Sequence, residues 1–234
     1  DVFVLGAVGP LGTRIEPWGP TSREEATGYF GRQVAGLIDG GVDGFILETF
    51  ADLDELEAAI RSVRDGSDLP LFAQMCFGAD SNTAYGTSVE AFAERMTGLE
   101  VDAVGLNCAV GPAAMLETIE RLAAVTDRPI SALPNAGLPR SVGGRIMYLS
   151  SPEYMGRYAR RMIEAGVQII GGCCGTTPAH IREFRSQVIS MVPGAHSSGV
   201  SFASASRVEA QGPVPLAERS GLGEKLAHGQ FVVT

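Results

Sequence analysis

Three cysteines could carry chemistry, and they follow two separate apolar segments. Cys108 follows the run Val-Gly-Leu-Asn, whereas Cys173 and Cys174 follow Ile-Ile-Gly-Gly. If both segments are parallel strands of one sheet, their carboxyl ends lie at one edge and the three thiols share one face. Three thiolates are enough for a catalytic zinc ion, which keeps its fourth position open for substrate. This chemistry suits reactions at sulfur, because zinc deprotonates a thiol and the thiolate is the nucleophile.

A purely structural role is the simpler alternative, since free cysteine is among the most buried residue types. We apply this interpretation to Cys76, which stands alone, and predict that it is a small buried apolar residue. The pair Cys173-Cys174 is different because glycine flanks it on both sides, and glycine lets the backbone approach a metal closely. Four cysteines in 234 residues are also too few for a disulfide scaffold.

Three further polar residues could contact a substrate. Glu48 follows the run Gly-Phe-Ile-Leu, and its carboxylate could hold an ammonium group or be an exposed loop residue without a role. Asn135, in Leu-Pro-Asn-Ala-Gly, could hydrogen-bond a polar substrate or stabilise a turn. His180 could be a ligand or a base, but its position in a predicted helix favours a solvent-exposed histidine.

Short apolar segments that alternate with longer amphipathic segments predict the elements that position these residues. The predicted strands begin roughly 25 to 45 residues apart, which leaves room for a helix and two loops between them. The strands span residues 2–7, 44–47, 71–76, 103–107, 130–133 and 168–171. Helix starts are indicated by Ser22, Asp52 and Thr87, each three residues before a glutamate, and by Pro152 and Pro178 at first helical positions.

This spacing fits either a doubly wound sheet or a (β/α)8 barrel that lacks two units. Chemically unusual residues end nearly every predicted strand, and barrel active sites are assembled from several strand ends in this way. The sequence therefore predicts the α/β class and an incomplete (β/α)8 TIM barrel, with about six of eight βα units, over residues 1–192. A Ser-, Ala- and Gly-rich linker is predicted for residues 193–215.

Composition narrows the function classes. The chain is 45% hydrophobic and carries a net charge of −9, which argues against nucleic acid or an anionic membrane as a partner. No apolar run approaches the roughly 20 residues that span a bilayer, and no basic and apolar leader opens the sequence. We expect a soluble, cytoplasmic protein that acts on a small molecule.

Three motifs together resemble the homocysteine S-methyltransferase domain in order and spacing. They are Val-Gly-Leu-Asn-Cys at 104–108, Leu-Pro-Asn-Ala-Gly at 133–137 and Ile-Gly-Gly-Cys-Cys-Gly-Thr-Thr-Pro-Ala-His-Ile at 170–181. That domain occurs alone, in betaine-dependent enzymes and in cobalamin-dependent methionine synthase. The resemblance covers about residues 1 to 190, and it implies a (β/α)8 barrel that transfers a methyl group to homocysteine to form methionine.

The resemblance also implies roles for particular residues. A zinc ion would be bound by Cys108, Cys173 and Cys174, with the homocysteine sulfur completing the tetrahedron. Glu48 corresponds to the glutamate that holds the homocysteine amino group, and Asn135 to an asparagine that lines the amino-acid pocket. The methyl donor stays open. Another thiol or selenol acceptor and a non-catalytic barrel with structural or redox-active cysteines are the alternatives.

The ends of the chain depart from the family pattern. The family opens with a segment of the Asp-Gly-Ala-Met-Gly-Thr type and a second unit rich in Thr and Asn, and neither is present. We therefore expect a sequence truncated at both ends, whose barrel cannot close and which is inactive alone. Residues 216–234 are similar to the opening of the methylenetetrahydrofolate reductase half of bacterial bifunctional proteins. This similarity implies a covalently linked reductase domain in the parent, with FAD and NAD(P)H bound only in that absent half.

Overall fold

The structure is a computed structural model, and it describes residues 3–191 and Gly194. The predicted linker, apart from Gly194, and the predicted reductase-like segment 216–234 lie outside the described residues. Eight strands are β1 Leu5–Val8, β2 Gly44–Phe50, β3 Leu71–Met75, β4 Ala103–Asn107, β5 Ile130–Leu133, β6 Arg140–Val142, β7 Arg145–Met147 and β8 Val167–Ile170. Six helices are α1 Arg23–Asp39, α2 Leu53–Gly66, α3 Val89–Thr97, α4 Pro112–Ala123, α5 Pro152–Glu164 and α6 Pro178–Val188.

Six of the strands form one parallel sheet in the order β1-β2-β3-β4-β5-β8. Helices alternate with these strands, so the predicted α/β class with six βα units is confirmed. A doubly wound sheet reverses its strand order at a switch point, whereas this order follows the chain without reversal. Right-handed crossovers that all run in one direction place the helices on one face, as in a barrel wall. Among the described residues the edge strands β1 and β8 do not pair, and the sheet is open.

The helix-covered face of the sheet is the apolar core. In β2, Phe45 and Leu47 are completely buried, whereas Ile46 and Glu48 are partly exposed. Side chains alternate between the two faces of a strand, so Ile46 and Glu48 lie on the face away from the helices. None of the described helices is both long enough and apolar enough to cross a membrane.

The helix starts follow the capping pattern with one correction. Ser22 forms a capping box with Glu25, Asp52 accepts from the backbone of α2, and Ser151 caps α5 ahead of Pro152. The prediction of Thr87 as the cap of α3 is wrong, because the Ser88 side chain accepts from the backbone N–H of Ala91. The Thr87 carbonyl instead accepts from Thr83 in the preceding turn.

The sequence prediction missed an exposed hairpin. Strands β6 and β7 pair antiparallel across Gly143 and Gly144, which have φ values of 57° and 75°. Two consecutive residues with positive φ form the type I′ turn that matches the twist of a two-residue hairpin. The Gly-Gly pair between short β-prone segments was the signal for it.

Candidate metal centre

Three cysteine sulfurs meet at the carboxyl edge of the sheet. Cys108 directly follows β4, and Cys173 and Cys174 follow β8 after two glycines. The three Sγ atoms lie within 4.8 Å of one another, and the Sγ atoms of Cys108 and Cys174 are 3.8 Å apart. The structure therefore brings together the three residues that the sequence analysis singled out as metal ligands.

The segment after β5 holds the two cysteine loops against each other. The backbone N–H of Cys108 donates to the Leu133 carbonyl at 3.1 Å, and that of Cys173 donates to the Pro134 carbonyl at 2.9 Å. The Cys174 carbonyl in turn accepts from the N–H of Ala136 at 2.9 Å. Because β5 lies between β4 and β8, its extension fixes the spacing of the thiols from both sides.

Asn135 lies at the centre of this arrangement. It is buried, with 3% of its surface exposed, and its Oδ1 accepts from the backbone N–H of Cys174 at 3.0 Å. Its own backbone N–H donates at 3.1 Å to the carbonyl of Val110, two residues after Cys108. Asn135 thus connects both cysteine loops, a contact to the metal-site backbone that the sequence analysis did not anticipate.

The thiols differ in acidity. Burial acts to raise the pKa of Cys108, but hydrogen bonds from the Ala109 N–H, from Asn135 and from the two neighbouring cysteines bring that pKa below its ordinary value. Burial, together with the nearby sulfurs of Cys108 and Cys174, raises the pKa of Cys173 to about 12. Like charges this close oppose joint ionisation unless a cation neutralises them. The donor set therefore fits a divalent metal ion better than it fits free thiolates.

Cys76 lies near this cluster without belonging to it. Its Sγ donates to the Asn107 carbonyl at 3.0 Å, and burial raises its pKa to about 12. The prediction of a buried apolar residue is wrong in its burial, since Cys76 is only half-buried. Among the described residues, the sulfurs that lie within 4.8 Å of one another are those of Cys108, Cys173 and Cys174 and not that of Cys76, so the structural role of Cys76 stays a prediction.

Glu48 lies at the same edge of the sheet, within a β-bulge of β2. Leu47 pairs with Ala73 and Phe50 with Met75, so Glu48 and Thr49 together lie opposite one residue of β3. Glu48 is half-buried, and within residues 3–191 the structure gives its carboxylate no hydrogen bond or ion pair. A bulge of this kind re-aims a side chain next to an active site, and the carboxylate is free to bind a ligand.

A buried amide joins the Glu48 bulge to the cysteine loop. The Asn107 Nδ2 donates to the Thr49 Oγ1 at 2.8 Å, and the Thr49 backbone N–H donates to the Asn107 Oδ1 at 2.8 Å. Sequence reasoning gave these two residues no role. The available signal was a polar side chain at the end of an apolar strand, immediately before Cys108.

Backbone strain is concentrated at this edge. The described non-glycine residues with left-handed φ are Thr49 at 69°, Ser81 at 59°, Cys108 at 56° and Ala109 at 57°. Thr49 lies in β2, and Cys108 and Ala109 directly follow β4, whereas Ser81 lies farther along the loop between β3 and α3. Such conformations cost about 1–3 kcal/mol each and persist where the surrounding contacts fix them, commonly at functional sites.

His180 corrects another prediction. It is only 6% exposed, not solvent-exposed as predicted. Its Nδ1 accepts from the Thr177 backbone N–H at 3.1 Å, and its Nε2 lies 3.0 Å from the Ser150 carbonyl oxygen. A histidine at the third helical position here replaces the glutamate of a capping box. His180 thus connects the start of α6 to the loop before α5. It is not part of the cysteine cluster, and hydrogen bonds occupy both of its ring nitrogens.

The sequence matches the family model described as homocysteine S-methyltransferase over residues 1–188. The chain belongs to this family. It is 36% identical over 192 residues to the methionine synthase of Mycobacterium tuberculosis and 35% identical over 192 residues to that of Mycobacterium leprae. Each alignment covers 80% of this chain and 16% of the relative, so the chain spans a small part of these proteins.

Two solved structures share the fold of this chain. The apo form of the homocysteine methyltransferase MmuM from Escherichia coli superimposes with a TM-score of 0.65 at 24% identity, covering 80% of this chain and 62% of that one. The metallated form of the same enzyme gives a TM-score of 0.65 at 23% identity, covering 80% and 61%. The chain that carries the cysteine cluster therefore has the same fold as this methyltransferase.

Proposed function

We propose that this chain is the acceptor-activating part of a methyltransferase that methylates the thiol of homocysteine and forms methionine. The observation that carries the proposal is the cluster of Cys108, Cys173 and Cys174 at the carboxyl edge of the sheet. In the reaction the acceptor sulfur forms a bond to the methyl carbon, the bond between that carbon and the donor breaks, and the thiol proton is released to solvent. The names of the mycobacterial and Escherichia coli relatives support this assignment.

The geometry of the cluster fits zinc. Zn–S bonds of about 2.3 Å in a tetrahedron place neighbouring sulfurs about 3.8 Å apart, and the sulfurs of Cys108 and Cys174 are 3.8 Å apart. All three sulfurs lie within 4.8 Å of one another, so the remaining pairs need to close by about 1 Å at most for zinc. Three protein thiolates leave one position for a substrate sulfur. Zinc bound there would lower the acceptor thiol's pKa and keep it ionised at neutral pH.

The chain's own residues would orient the acceptor. Glu48 offers a carboxylate at the same edge of the sheet that has no partner in the described part of the chain, and an ammonium group is its natural partner. The Asn135 side chain positions Cys174 by accepting a hydrogen bond from the Cys174 backbone N–H. We propose that Asn135 also borders the amino-acid pocket. Residues 1–192 would form this barrel portion, and the family match over residues 1–188 supports that boundary.

The direct test measures zinc in the full-length protein purified without chelator. We expect about one zinc per chain, with a further sulfur in its coordination shell after L-homocysteine is added, observed by X-ray absorption at the zinc edge. A closed site with four protein ligands and no change on adding homocysteine would support a structural role. A well-folded protein without metal, whose cysteines oxidise readily, would support the redox alternative. Competition with other thiols and with selenols identifies the preferred acceptor.

Glu48→Gln tests the proposed contact to the amino group. The substitution keeps the size of the side chain but removes its charge, and a charged hydrogen bond contributes about 1.5–3 kcal/mol. We therefore expect KM for homocysteine to rise about 10- to 100-fold while the zinc content stays unchanged. Glu94→Gln, an exposed glutamate on α3, is the matched control and should leave KM unaltered. An unchanged KM in Glu48→Gln would remove Glu48 from the site.

A further inference from the structure

We infer that the hydrogen-bonded pair Asn107–Thr49 sets the acceptor chain length, by fixing how far Glu48 lies from the metal-binding sulfurs. This inference rests on the proposed function, because it needs Glu48 to hold the amino group and the cysteines to hold the sulfur. Asn107 and Thr49 would then be positioning residues that touch neither end of the acceptor.

The position of the pair in the chain is the first argument. Thr49 is covalently next to Glu48, and Asn107 is covalently next to Cys108. The groups that would bind the two ends of the acceptor are therefore each one residue away from this contact. A change in the Asn107–Thr49 contact therefore shifts the Glu48 carboxylate relative to the Cys108 sulfur, because only one peptide bond separates each of these residues from the contact.

The second argument is that the sheet itself does not join these two strand ends. Strand β3 lies between β2 and β4, so no ladder hydrogen bond connects β2 to β4. The Asn107 side chain crosses this gap with two hydrogen bonds of 2.8 Å, one donated and one accepted. Asn107 is completely buried, with 0% of its surface exposed, and a buried amide with both groups satisfied is rigidly held.

The third argument is the strain that this contact maintains. Thr49 has a φ of 69°, which is a costly conformation for a β-branched residue. It is the second residue of the bulge that carries Glu48, and without a fixed partner a bulge can relax and turn its side chains elsewhere. The amide of Asn107 holds both the backbone N–H and the hydroxyl of Thr49, so it holds the bulge in the strained form.

A fixed separation selects an acceptor whose thiol and amino group are the right distance apart. L-Cysteine is one methylene shorter than L-homocysteine, so it would reach only one of the two groups at a time. Loosening the contact should weaken homocysteine binding and leave cysteine binding nearly unchanged. A change of one methylene is commonly worth about 10-fold or more in discrimination when a site is rigid.

The experiment uses Thr49→Val in the full-length, zinc-loaded protein, because valine keeps the branched shape and removes only the hydroxyl. Discrimination is measured as the inhibition constant of L-cysteine divided by KM for L-homocysteine. We expect this ratio to fall about tenfold, with zinc content unchanged. Thr49→Ser keeps the hydroxyl and should restore most of the ratio. Asn107→Leu, which removes both hydrogen bonds, should lower the ratio at least as far and serves as the second variant.

Thr118→Val is the matched control. Thr118 is a buried residue of α4 whose hydroxyl lies 2.8 Å from that of Ser81. Loss of this hydroxyl should destabilise the protein and leave the discrimination ratio unchanged. An unchanged ratio in both Thr49→Val and Asn107→Leu would overturn the inference, as would an equal loss of affinity for both amino acids. A wild-type protein that binds zinc but does not methylate homocysteine would instead contradict the proposed function, and the two failures are distinguishable.

Discussion

Replacing Cys108, Cys173 or Cys174 with serine, one at a time, is expected to remove most of the bound zinc. Each substitution exchanges a soft thiolate for a hydroxyl, which stays protonated and binds zinc weakly. Loss of an outer hydrogen-bonding partner already lowers metal affinity 10- to 100-fold, so loss of a ligand should lower kcat/KM for homocysteine by more than about 100-fold. Metal content by mass spectrometry and methionine formation in the full-length protein measure the two effects.

Cys76→Ser is the matched control for these three variants. It makes the same chemical change in the same part of the protein, and serine can still donate to the Asn107 carbonyl as the Cys76 thiol does. We expect it to retain about one zinc per chain. Normal zinc content and turnover in any of the three cluster variants would contradict the metal site.

Asn135→Ala should weaken zinc binding without removing a ligand. The substitution leaves the backbone N–H of Cys174, which follows a proposed zinc ligand, without its acceptor. Partners of this kind orient the ligands, and their loss typically costs 10- to 100-fold in metal affinity. Competition with a chromophoric chelator measures the zinc dissociation constant, which should rise by about that factor.

Two further variants make this test specific. Asn135→Asp keeps an oxygen acceptor for the Cys174 N–H and should bind zinc more tightly than Asn135→Ala. Asn82→Ala removes an amide that bonds to Asp80 within its own loop, and zinc affinity should not change. Equal zinc affinity in Asn135→Ala and the wild type would restrict Asn135 to stabilising the turn after β5.

The sequence predicted the strands well because their signal is local. Each is a short apolar run between turn residues, and the observed strands β4 and β5 coincide with the predicted ranges. The end of β2 was missed because a bulge lets the strand continue through Glu48 and Thr49 to Phe50, and polar residues normally signal a strand end. The described strands form an open six-stranded sheet, as the predicted incomplete barrel requires.

The cluster of three cysteines was predictable because this residue type is rare and the topology of parallel strands brings strand ends together. The roles of Asn107, Thr49 and His180 were not, since each depends on a partner that only the fold supplies. His180 shows this clearly: its sequence position fits an exposed helix turn, yet its ring is buried against the Ser150 carbonyl. Contacts between residues distant in sequence leave no periodic pattern to detect.

The left-handed residues at the carboxyl edge bear on how this protein could be made more thermostable. Ala109→Gly would relieve the conformational strain there, since glycine adopts positive φ freely. The same change would let the chain after Cys108 sample more conformations, so the sulfur of Cys108 would be held less firmly relative to those of Cys173 and Cys174. Substitutions that stabilise the fold at this end of the sheet are thus expected to lower the rate of methyl transfer. Substitutions at the amino ends of the strands lie away from the sulfurs, so stability should be increased there first.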